Sequence, residues 1–118
     1  MRYNFEKLEI WALALKGIDV TDHMTEKFPK REKYILEDQI KRAALSIALN
    51  IAEGSGRGTK PDFRRFIRNA IGSLLEVVAG MRVATHKKYI DEESTKPADE
   101  TFEKLYFKLV AMEKYLKR

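Results

Sequence analysis

With 118 residues, of which 44% are hydrophobic, the chain is long enough for one core and too short for two. It contains no cysteine, which excludes disulfides and thiolate chemistry and is compatible with a reducing cytoplasm. No run of about 18 apolar residues occurs, so a membrane span is excluded, and the opening MRYNFEKLEIW lacks the apolar core of a secretory signal.

The net charge of +5 is unevenly distributed. From Gly54 to Ile90 there are eight Lys or Arg against two acids, whereas the rest has fifteen bases and sixteen acids. The excess therefore falls on one segment. Either it meets an anionic partner, or it is a solvated face that pairs with acids on neighbouring helices.

The first predicted helix spans 5–27, with Asn4 as N-cap and Leu8, Trp11, Ala12, Leu15 and Ile18 on one stripe. Pro29 forbids its continuation past Phe28. The second spans 32–53, with Leu36, Ile40, Ala43, Ala44, Ile47 and Ile51 facing inward. Gly54, Gly56 and Gly58 end it through left-handed backbone conformations. Thr59-Lys60-Pro61-Asp62 then reads as a helix start, a capping residue followed by a proline in the first turn.

The third helix spans 61–89, with an apolar face running from Phe63 to Met81 and a length of roughly 40 Å. Asp91 to Ala98 reads as an acidic turn, because Pro97 argues against an unbroken helix. The fourth helix spans 97–116, with Phe102, Leu105, Tyr106, Leu109, Met112 and Leu116 inward. Four amphipathic helices on short links predict an all-α fold, a single domain over 1–118 built as an antiparallel up-and-down four-helix bundle. No segment has the period-two pattern of a strand.

Several pieces match a known family in order along the chain: FEKLEIW (5–11), Phe28-Pro29, QIKRAA (39–44), Ser46-Ile47, NIAEG (50–54), Gly56-Arg57, 63–66, Ala70, Gly72-Ser73, Glu76 and Tyr89-Ile90. On these the chain resembles the 23S rRNA intervening-sequence proteins, bacterial proteins also called simply four helix bundle proteins. It departs at Ala48 and Leu49, where the family has proline and alanine, and at Lys88, where the family has glycine. The last thirty residues are generic. The resemblance implies a four-helix bundle and, from characterised relatives, a homopentameric ring, with no established enzymatic activity. A related accessory protein of diversity-generating retroelements binds nucleic acid and associates with a reverse transcriptase, so RNA, DNA or such a protein are the partners it implies.

Asn50, Glu53, Arg57, Ser73 and Glu76 are the polar residues in the matching motifs. Asn50 and Glu53 share one helix face, and Ser73 and Glu76 share a face of the next helix. A latch that hydrogen-bonds across helices and sets their register is the main reading. Catalysis by Glu53 and Glu76 is the lesser one, since no nucleophile or metal-ligand cluster accompanies them. No cofactor is implied, and His23 and His86 read as exposed residues. GSGRGTK is not a phosphate loop, because Thr59 stands where a glycine is needed and a helix precedes it. A weaker possibility is that the amides opening the third helix accept a phosphate oxygen beside Arg57 and Lys60.

Arg57, Lys60, Arg64 and Arg68 fall near one helical line, with Arg65 extending it, over about 16 Å. Such a stripe suits a nucleic-acid backbone, and copies in a ring would multiply its contacts. The other reading pairs the arginines with acids of an adjacent subunit. Stacking aromatics are not evident on this face. Ile10, Ile35, Leu45, Leu49, Leu75 and Val83 lie off the core stripes and are expected to cover a subunit interface.

Overall fold

In the first turn, the Glu6 carboxylate accepts the Tyr3 amide at 3.0 Å while the Glu6 amide donates to the Tyr3 carbonyl at 3.2 Å. This reciprocal pair closes a 3₁₀ turn over Asn4–Lys7. Leu8 is then extended (φ −79°, ψ 135°), and α1 runs only from Glu9 to Thr25. The expected single helix from Phe5, capped by Asn4, is thus two pieces with a break at Leu8. The computed structural model describes residues 3–30 and 33–118, with residues 33 and 34 described by backbone alone.

The inward line of α1 also differs from the expected stripe. Ile10, Ala14, Gly17, Thr21, Met24 and Thr25 are buried, while Ala12 and Leu15 are exposed and Trp11 and Ile18 are half-buried. Two threonines and a glycine on the core face hide the true period from a reading of apolar residues alone. Thr25 fits there because its hydroxyl donates to the Thr21 and Asp22 carbonyls. Gly17 fits because a Cβ there would lie 2.8 Å from the Phe102 ring of the fourth helix.

A π-helical turn over Lys33–Glu37 leads into α2, Asp38–Ser55. The start expected at Glu32 lies outside the described residues. Ile40, Ala43, Ala44, Ile47 and Ile51 are buried as expected. The helix continues through Gly54 to Ser55, so Gly54 does not terminate it. Gly56 is not left-handed (φ −94°), and of the three glycines Gly58 alone takes a positive φ, +87°.

The Thr59 hydroxyl accepts the Asp62 amide at 3.3 Å and starts α3, Lys60–His86, with Pro61 in the first turn. Its end is a Schellman turn. The Tyr89 amide reaches the Ala84 carbonyl and the Lys88 amide the Thr85 carbonyl, with Lys88 left-handed at φ 63°.

The expected acidic turn and a fourth helix starting at Pro97 are not what forms. α4 runs from Glu92 to Lys117 with Pro97 inside it. The Asp91 carboxylate caps it, accepting the Ser94 amide at 2.9 Å and the Ser94 hydroxyl at 2.8 Å. Glu92 and Glu93 complement the positive end of the helix dipole. Pro97 lies on the exposed side, while Thr95, Ala98, Thr101 and Phe102 carry the buried line past it. The lost backbone bond is confined to the second turn, and packing outweighs it.

Each helix packs on its neighbour in sequence, and α4 closes back onto α1. Cross-helix contacts show that every such pair is antiparallel. Late α1 meets early α2 at Asp22–Lys41, and early α2 meets late α3 at Ile40–Gly80. Early α3 meets late α4 at Arg64–Glu113, and late α4 meets early α1 at Lys108–Glu9. Lys41 also donates to Glu37, and this hydrogen bond raises the Lys41 pKa above its ordinary value. The particle measures 44 × 25 × 20 Å, its long axis matching the length of α3. No strand is present among the described residues.

Candidate nucleic-acid interface

Antiparallel packing brings the end of α2, the start of α3, the end of α4 and the chain before α1 to one end of the particle. The segments 3–9, 53–68 and 108–118 hold ten basic and five acidic side chains. Their balance of +5 equals the net charge of the whole chain, and the remaining thirteen bases and thirteen acids cancel. Sequence reasoning located the α3 portion of this charge but missed Lys114, Lys117 and Arg118, which are remote in sequence and join it only through the topology.

The expected stripe is reorganised. Arg57 lies in the link before α3, donating to Glu53 at 2.9 Å with its guanidinium 4.8 Å from the Phe66 ring centroid. Arg65 reaches the other carboxylate of the elbow, Asp62, at 3.4 Å and lies 4.5 Å from the same ring. Arg64 turns toward α4 and pairs with Glu113, both side chains being partly buried. Lys60 sits 5.0 Å from the Tyr115 ring centroid. Lys7, Lys60, Arg68, Lys114, Lys117 and Arg118 have no carboxylate partner among the described residues.

The phosphate-accepting amides expected at the start of α3 are largely spoken for. The Asp62 amide is taken by Thr59, Pro61 has none, and the Asp62 carboxylate sits in the first turn.

The four latch candidates divide into separate contacts. The Ser73 hydroxyl lies 2.9 Å from that of Ser46, and Asn50 donates to the Ser46 carbonyl at 2.8 Å and to its hydroxyl at 3.1 Å. Glu76 accepts from Gln39 at 2.6 Å. Glu53 makes no bond to α3 and holds Arg57 instead. Ser46 and Gln39, which link these residues between α2 and α3, stand in the matching motifs, yet nothing in their spacing marks them as the partners. Among the described residues no group of three or more His, Cys, Asp or Glu is placed to hold a metal ion.

Of the six residues expected on an interface, Ile35, Leu45, Leu49, Leu75 and Val83 are exposed. Ile10 is buried, because the helix starts later and its core line is rotated from the expected one. Trp11 and Tyr89 are partly buried against the core.

A model of the 23S rRNA-intervening sequence proteins matches residues 6–111, all four helices but for the last turns of α4. This chain belongs to that family. A comparison with curated proteins gives no match. Family membership agrees with the small helical architecture, and no helix is long and apolar enough to cross a membrane among the described residues.

Proposed function

We propose that this family member is a non-enzymatic, homo-oligomeric module, cytoplasmic in location, whose basic end binds the backbone of RNA or DNA. The observation that carries the reading is the collection of the entire net charge at one end, including six cations without a carboxylate partner among the described residues. Lys60 and Arg68 carry the contact, and Arg57 and Arg65 exchange exposed carboxylates for phosphates. Arg64 serves mainly to hold α3 to α4. Repetition of this end in a ring, pentameric by the family resemblance, would raise avidity through effective concentration.

The reading predicts weak, salt-sensitive and largely sequence-independent binding. Changing Arg65, Arg68 and Lys117 to Glu should weaken binding to an RNA or DNA oligonucleotide at low salt by about tenfold or more. Absence of binding by the wild-type protein, or its persistence in the triple variant, would overturn it.

The alternative, a structural assembly module without nucleic-acid binding, is favoured by a different observation. Leu15 on α1 with Leu45 and Leu49 on α2, and Leu75 on α3 with Phe107 on α4, are all more than 40% exposed. They give two dissimilar apolar faces on different helix pairs, as a head-to-tail ring contact requires. Light scattering of Leu45→Asp/Leu49→Asp with and without RNA separates the two readings. Loss of assembly with wild-type RNA binding absent supports the alternative.

A further inference from the structure

Tyr115 sits in the basic end although nothing in its sequence neighbourhood marks it. It is 54% exposed, carries the Lys60 ammonium over one face of its ring, and forms one wall of an open groove of about 360 Å³. The groove is otherwise mostly apolar, lined by Leu8, Ile10, Ala111 and Met112, with the Lys108–Glu9 pair (3.0 Å) along it. An exposed aromatic ring, an apolar slot and an unpaired cation, Lys60, therefore meet at one place. Duplex nucleic acid has no use for the first two, since its bases are stacked on one another. A single strand uses all three, its bases stacking on aromatic rings while its phosphates follow the cations.

We infer that the basic end takes single-stranded nucleic acid, with one base stacked on Tyr115 at the mouth of this groove and the adjoining phosphates on Lys60 and its neighbours. This rests on the proposed backbone binding and narrows its ligand. The groove's size falls in the range of small-ligand sites, ~300–1,000 Å³. Its position at the +5 end selects a polyanion over a second copy of the same basic surface.

The test is fluorescence anisotropy at low salt with a single-stranded RNA of roughly twelve nucleotides, the DNA of the same sequence, and the corresponding duplexes. Wild type, Tyr115→Ala and Tyr115→Phe are compared. Tyr115→Ala should weaken single-strand binding roughly 5- to 100-fold and leave duplex binding within about twofold, while Tyr115→Phe stays near wild type. Loss confined to RNA, to DNA, or shared by both supports the inference and names the strand. If wild type binds single strands and duplexes alike and Tyr115→Ala changes neither, the stacking site is wrong while the backbone reading stands. If no oligonucleotide binds, both fall. If light scattering shows that Tyr115→Ala alters the subunit number, the groove is a contact between copies and the inference is overturned. An unchanged melting curve for the exposed-site variant confirms that folding is intact.

Discussion

The two ends of α3 solve the same problem, reversing a long helix into the next one, by different means. At the start, α2 and α3 come so close that the junction requires a residue without a side chain. A Cβ on Gly54 would lie 2.6 Å from the Phe66 Cβ and 2.9 Å from the Phe63 ring. At the far end, α3 turns into α4 through Lys88, a residue with a full side chain in a left-handed conformation. The first junction is tight and collects cations; the second is looser and belongs to the charge-balanced remainder. The difference teaches that the NIAEG glycine is a packing residue, whereas position 88 is governed by backbone conformation.

The largest expected effect tests the tight junction. Gly54→Ala gains ~1 kcal/mol of helix propensity, but Phe66 Cβ is fixed to its backbone and cannot rotate away. Overpacking of ~3 kcal/mol should dominate, leaving a net loss of about 2 kcal/mol in urea unfolding. Gly72, in mid-α3, provides the contrast, since a Cβ added there would have no neighbour within 4 Å. Gly72→Ala should stabilise by ~1 kcal/mol. Similar outcomes for the two variants would refute the packing role assigned to Gly54.

How much of this was legible follows from particular residues. The inward faces of α2, α3 and much of α4 could be read, because Ile, Leu, Val and Phe recur at helical spacing where the core is. The α1 face could not, because Gly17 and Thr25 occupy buried positions for reasons that lie in Phe102 and in the helix's own carbonyls, and Thr21 is buried with its hydroxyl unpartnered among the described residues. Pro97 misled because a local breaking tendency competes with a buried line that only the assembled bundle reveals. The α3 arginines could be named from sequence. Their division into paired and unpaired groups, and the arrival of Tyr115 and Lys117 beside them, depends on which chain ends meet in space.

A second comparison concerns the ion pairs that tie α3 to α4 at its two ends. Arg64 and Glu113 have side chains 28% and 19% exposed, against 55% and 35% for Arg82 and Asp99. Screening should make the outer pair weak even though Arg82 reaches both carboxylate oxygens of Asp99, at 2.7 and 3.3 Å. Double-mutant cycles should give a coupling of about 1–2 kcal/mol for Arg64–Glu113 and about 0.5 kcal/mol for Arg82–Asp99. The reverse order would show that geometry outweighs burial here.

The looser junction should improve on replacement. Lys88→Gly removes the cost of a left-handed non-glycine residue, and the gain should be about 1 kcal/mol, partly offset by the freedom glycine adds to the unfolded chain. A melting temperature raised by ~2–4 °C at fixed protein concentration is the expected reading. A decrease would mean that the Lys88 side chain makes a contribution its conformation does not reveal.

The smallest effect separates the junctions by pH. Hydrogen bonds from the Ser94 hydroxyl and amide hold the Asp91 carboxyl below its ordinary range. A carboxyl whose pKa is lowered on folding contributes stability above its unfolded pKa and loses it as pH falls through the folded one. The melting difference between wild type and Asp91→Ala should therefore be full at neutral pH and shrink as pH falls through the acid range. At the α3 start the capping oxygen belongs to Thr59, a hydroxyl that does not titrate, so the difference for Thr59→Ala should not shrink in the same way. Parallel loss of both differences would mean that acid acts on the bundle as a whole, and that the far-end cap has no titration of its own.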